Sequence, residues 1–187
     1  MRFLRDAAIT IVILVLVAVV AAVLVARRGL AADQEPGRLE RTIAGQLVRL
    51  SIPAEAEQQA NPFSSQPDAW RDAVEHYRDH CAACHGKKGK GDTEMGRNMY
   101  PPVPDLTTAD VQERSDGALF HIIQNGVRWT GMPAWREEHS PDDTWKLVAF
   151  LRKAPTLTEA DLSSLEPVAT SGEKPRDEDH QAHPHKQ

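Results

Sequence analysis

Cys81 and Cys84 stand two residues apart with His85 directly behind them, and no other cysteine occurs among the 187 residues. Two thiols at this spacing can each form a thioether with a porphyrin vinyl group, and the adjacent imidazole then lies under the iron as a nitrogen ligand. Cys81, Cys84 and His85 are therefore expected to attach one haem per chain. Two other chemistries use a cysteine pair: a disulfide, and a thioredoxin-like redox couple. The redox couple normally accompanies alternating strands and helices, a pattern this chain does not carry. His85 is expected to bind iron through Nε2 as a neutral ring, with its Nδ1–H directed at a backbone carbonyl.

Met132 is the candidate sixth ligand. It sits in Gly131-Met132-Pro133, where glycine permits close backbone approach and proline stiffens the turn. A lone methionine is ordinarily core filling, but this one falls in a turn between two expected helices. Met95 and Met99 are competing thioethers close behind His85, and His121 and His139 are competing imidazoles expected at the surface. Thioether opposite imidazole raises the reduction potential and fills the coordination sphere, which suits electron transfer and not oxygen chemistry.

Helices must hold these groups. Trp70, Ala73, Val74 and Tyr77 recur at i, i+3, i+4 and i+7, and Cys81 continues the face, with Asp68 as an expected N-cap. Gly86, Gly89, Gly91 and Gly96, then Pro101, Pro102 and Pro104, argue for an irregular loop wrapping something other than itself. Ser115 or Asp116 can cap a second helix burying Leu119, Phe120, Ile122 and Ile123 and stopping at Asn125-Gly126. Ser140-Pro141-Asp142-Asp143 reads as a capping sequence for a helix bearing Trp145, Leu147, Val148, Phe150 and Leu151. Thr158 to Asp161 can cap one more short turn. The fold class is all-α: three to four helices around a covalent haem, which staples a small core.

The flanks have different chemistry. Ala7 to Ala26 is uncharged, and 20 residues of helix at about 1.5 Å each reach roughly 30 Å, a bilayer's hydrocarbon thickness. A retained signal anchor over residues 1–32 is expected in preference to a cleaved signal peptide, whose apolar stretch is shorter. Arg2 and Arg5 before the span balance Arg27 and Arg28 after it, so charge leaves orientation open. Leu39, Ile43, Leu47 and Leu50 mark a short amphipathic helix starting near Pro36, and Pro53, Pro62 and Pro67 make residues 51–67 an extended linker, so that 33–67 form a stalk. Residues 68–154 are the expected domain and 155–187 a tail, disordered beyond Glu166, whose His180, His183 and His185 bind metal weakly if at all. The net charge of −5 argues against a nucleic-acid partner. Lys87, Lys88 and Lys90 form a basic patch beside the haem motif, equally compatible with partner steering and with a solvated loop.

The helix before Cys81-Ala-Ala-Cys-His-Gly86, the Tyr100-Pro-Pro-Val-Pro-Asp-Leu106 stretch, Gly131-Met-Pro-Ala-Trp135 and the final helix resemble, in that order, a bacterial class I cytochrome c domain over Asp68 to Ala154. The resemblance implies haem c, a carbonyl from Pro101 or Pro102 for His85 Nδ1, and Tyr77 against Phe150 where the first and last helices cross. Arg128 and Trp129 would then be candidates for a haem propionate, or simple surface residues. It also implies a domain in the periplasm on a single-pass bacterial inner-membrane anchor, touching lipid through that anchor and exchanging single electrons with redox proteins of the respiratory membrane. Two rivals remain: a haem enzyme or gas sensor with Met132 off the iron, and a fixed subunit of a larger respiratory complex.

Overall fold

A computed structural model describes residues 2–28, 31–32 and 34–163. The histidines of the tail and the expected disorder beyond Glu166 lie outside the described residues. No strand occurs among those described, so the all-α expectation holds.

Helix α1 (Arg2–Arg28) is the apolar N-terminal segment. It contains a 26-residue stretch, Arg2–Arg27, long and apolar enough to cross a membrane, and none of its most apolar window is buried against the protein. Helix α2 (Arg38–Ser51) starts where the periodicity places it. Its stripe of Leu39, Ile43, Leu47 and Leu50 faces outward, while polar side chains tie it to the rest of the protein: Glu40 accepts from the Tyr100 hydroxyl, and Arg49 pairs with Asp110 at 3.1 Å.

The segment over 51–67 departs from the extended linker its prolines suggest. Pro53 stands just ahead of a short helix, α3 (Ala54–Glu57), a position where proline's missing N–H is harmless. Ile52 and Ala56 are buried against Ala118 and Ile122, and Asn61, 3 % exposed, donates from Nδ2 to the Trp145 carbonyl at 2.9 Å. These contacts join parts of the chain far apart in sequence, which is why local composition does not reveal them.

A helical run over residues 69–85 follows, made of a 3₁₀ turn (Ala69–Ala73), α4 (Val74–His76), a π turn (Tyr77–Cys81) and α5 (Ala82–His85). Asp68 does not cap it through its side chain; its Oδ1 accepts instead from Arg71 Nε at 3.1 Å. A short helix, α6 (Glu94–Arg97), interrupts the loop that the glycines and prolines mark as irregular, and a second, α7 (Ala109–Gln112), follows it. Helix α8 (Asp116–Asn125) is capped by Ser115, whose hydroxyl accepts from Ala118 N, and ends at Gly126 with φ 65°. Helix α9 (Pro141–Lys153) carries the full reciprocal capping box of Ser140 and Asp143. Helix α10 (Glu159–Ser163) begins where Thr158 N–H and hydroxyl donate to Asp161.

The core lies where the 69–85 run crosses α9. Tyr77 stacks on Phe150 with ring centroids 4.2 Å apart, Trp70 sits 6.5 Å from the same ring, and Phe120 of α8 stacks on Trp145 at 4.2 Å. Val148 and Phe150 are completely buried. Burying aromatic and aliphatic faces this way contributes about 25 cal/mol per Å² of apolar area, the main force joining the two helices.

Candidate haem-binding site

The 69–85 run delivers Cys81, Cys84 and His85 at its C-terminal end. A π turn widens the helix just before the motif, a distortion that often occurs beside functional residues. Both cysteines are free thiols and half-buried. Before haem is attached, burial, with a smaller contribution from Cys84, pushes the Cys81 thiol up to about 12. The helix then stops at Gly86, whose φ of 73° suits glycine. The last carbonyls find partners in the loop: Gly91 N donates to His85 O at 2.8 Å, Thr93 Oγ1 to Cys84 O at 3.0 Å, and the Tyr77 hydroxyl to Gly86 O at 2.7 Å.

His85 is half-buried and its Nδ1 is shut off from water with no hydrogen-bond partner. Burial pulls its pKa below the ordinary imidazole value, and the Pro104 backbone carbonyl opposes this in part. That carbonyl faces the ring without meeting hydrogen-bond geometry. The carbonyl beside the ring is thus that of Pro104, and neither Pro101 nor Pro102 is paired with His85. A two- or three-residue offset in an irregular loop has no periodicity to betray it.

Methionines line the approach to the motif. Met95, 52 % exposed, lies with its sulfur 3.3 Å from Cys84 Sγ. Met99 packs on Gly131: a Cβ at that glycine would come within 2.6 Å of Met99 Sδ. The loop over 93–104 thus reaches from Cys84 to the turn that holds Met132. Sequence reading ranks Met95 and Met99 only as competing ligands and gives no sign of these contacts.

The Met132 turn is tied back to α8. Val127 N donates to Met132 O at 3.1 Å, Met132 N to Thr130 Oγ1 at 3.1 Å, Trp135 N to Ile123 O at 3.2 Å, and Arg136 N to Gln124 O at 3.2 Å. Met132 itself is half-buried against the main core, as is Cys81. Trp129 projects outward, 85 % exposed, with the Arg128 guanidinium 5.9 Å from its ring. His121 lies on α8, its ring half-buried beside Asn125. His139 does not sit at the surface as expected: it is 2 % exposed. Lys87, Lys88 and Lys90 are exposed, and Lys88 and Lys90 border a shallow cavity with Leu157.

The donor set fits a covalently held haem. Two thiols stand two residues apart without forming a disulfide, the imidazole that follows them is half-buried, and a half-buried thioether is held in a braced turn. A haem bound there supplies one-electron exchange at iron. Residues 68–151 match the family described as cytochrome c oxidase, cbb3-type, subunit III. The chain is also similar to cytochrome c55X of Paracoccus denitrificans (strain Pd 1222), at 34% identity over 92 residues that cover 48% of this chain and 81% of the relative. Motif, helical frame and both likenesses agree, and the chain belongs to the class I c-type cytochromes, which carry haem c covalently and use it for electron transfer.

Proposed function

We propose that this chain is a monohaem electron carrier in which Cys81 and Cys84 hold the porphyrin through thioethers, and His85 and Met132 occupy the two axial positions of the iron. The observation that carries this reading is the pairing of free Cys81 and Cys84 with a half-buried His85, while Met132 waits in a turn braced against α8. The chain's own residues provide the rest. Thr93 and Gly91 hold the end of the motif helix, and the core around Tyr77 and Phe150 lowers the local dielectric. With both axial positions taken, no open coordination site is left for substrate, which is the physical ground for a carrier and not an enzyme. Helix α1 tethers the domain to the bacterial inner membrane with residues 68–154 in the periplasm, and the segment over 33–67 sets its reach to redox partner proteins.

Optical spectra of the oxidised and reduced protein, with Met132→Ala alongside, test the ligand set. Altered coordination in the variant supports it; an unchanged spectrum moves the sixth ligand elsewhere. Carbon monoxide should bind the reduced wild-type protein weakly at neutral pH and the variant readily; tight binding by wild type would favour a gas sensor or enzyme. The matched family's description names an oxidase subunit, so a fixed place in a larger complex is the second reading. Stoichiometric co-purification with a membrane oxidase after mild solubilisation would support that reading over a free carrier.

A further inference from the structure

His76, His80 and His139 form a cluster that haem attachment does not use. His76 and His80 lie one helical turn apart on the run leading to Cys81, and His139 comes from the segment just ahead of α9. The ring centroid of His139 is 4.9 Å from that of His76 and 5.0 Å from that of His80, and the latter two are 5.9 Å apart. Trp135 covers the group, stacked on His139 at 5.0 Å and edge-on to His80 at 5.4 Å.

His139 is 2 % exposed, and both of its ring nitrogens are buried without a hydrogen-bond partner. A neutral imidazole always presents one N–H and one lone pair, and buried polar groups rarely go unpaired unless an ion, a water or a function accounts for them. The neighbouring carboxylates already have partners. Asp143 accepts from the Ser140 hydroxyl at 2.6 Å, Asp79 is bound by Arg78 at 2.6 Å and 3.1 Å, and Asp72 pairs with Lys146 at 3.1 Å. Burial, then the proximity of His76 and His80, holds His139 below the ordinary imidazole pKa.

The spacing has a simple reading. With metal–nitrogen bonds of about 2.1 Å and tetrahedral angles, three imidazoles on one ion set their ring centroids roughly 5 Å apart. The rings of His76 and His80 meet that of His139 at steep angles, and among the described residues no three His, Cys, Asp or Glu side chains converge their donor atoms on one point. His80 is exposed and His76 half-buried, and the broad χ2 wells of histidine let both rings turn toward His139.

We propose that His76, His80 and His139 form a three-imidazole site for one divalent ion of the zinc or copper class. His139 is the buried fixed ligand, the other two close on it, and water takes the fourth position. An all-nitrogen set disfavours magnesium and calcium, which require oxygen.

The test uses full-length, haem-loaded protein in detergent with His180, His183 and His185 replaced by glutamine, so that the tail cannot contribute. Calorimetric titration with Zn²⁺ should give one equivalent bound in the micromolar range. The electron paramagnetic resonance of added Cu²⁺ should show nitrogen coupling from more than one imidazole. His80→Gln, at an exposed position, should weaken Zn²⁺ binding at least tenfold, and His139→Gln at least a hundredfold. Absence of a stoichiometric ion, or equal affinity in the parent and both variants, overturns the proposal. If His139→Gln fails to fold, His76→Gln and His80→Gln decide: unchanged affinity in both overturns it equally.

Discussion

Met132, the proposed thioether ligand, and Tyr77, buried beside the motif, bear on the site through different physics. Replacing Met132 by alanine removes the thioether proposed to favour ferrous iron, and the potential should fall by roughly 0.1–0.3 V out of the about 0.8 V that axial ligands command. Redox titration of the variant checks this, and an unchanged potential would count against ligation. Tyr77 is 1 % exposed, and its hydroxyl donates to Gly86 O at 2.7 Å. Burial raises its pKa, so the phenol remains a donor throughout the ordinary pH range. Tyr77→Phe keeps the stack on Phe150 but strands the Gly86 carbonyl, and should cost about 1 kcal/mol in a denaturant titration. The Cys-x-x-Cys-His motif was legible in sequence because residue type and spacing carry it, whereas the Tyr77–Phe150 contact was expected only from the resemblance to class I cytochromes c. The environment of His139 was not legible, since a single histidine in a polar stretch bears no local mark of burial.

Helices α8 and α9 owe their ends to local chemistry, and α8 owes its close fit against α3 to a glycine. Gly117 on α8 lies so close to the Ala56 carbonyl that a Cβ there would collide with it. Gly117→Ala should therefore push α3 off the domain, costing about 1–3 kcal/mol as an overpacked contact does, and should open residues 51–67 to protease. Limited proteolysis compared with wild type checks this; an identical digestion pattern would mean the contact is absent. Ser140→Ala breaks the capping box of α9 and should destabilise by about 1 kcal/mol, read from the thermal midpoint. Ser115 and Ser140 could be read as caps from sequence because the acceptor and its N–H donors lie within three residues. The docking of Asn61 on Trp145 spans 84 positions and has no such local trace.

At the scale of the whole molecule, α1 makes no buried contact through its apolar window, so it is separable from the haem domain. Replacing residues 2–28 with a cleavable secretion signal should release the protein from membranes while leaving the haem spectrum unchanged; fractionation and spectroscopy of the released protein together check this. In the intact protein, alkaline carbonate extraction should leave the haem in the membrane pellet. Helix α2 lies between α1 and the haem domain in the chain and is joined to the domain by Tyr100–Glu40 and Arg49–Asp110. Exposed ion pairs contribute about 0–1 kcal/mol, so this joint steers the domain without clamping it.

The residue order alone determined the covalent chemistry, the all-α class, the apolar first helix and most helix caps, because each depends on groups within one or two turns of chain. Tertiary structure alone decided that residues 51–67 fold onto α8 and α9, that Pro104 faces His85, that Met95 and Met99 bridge Cys84 to the Met132 turn, and that His139 joins His76 and His80. Those outcomes arise from surfaces that meet only after distant segments pack together, and no spacing along the chain encodes them.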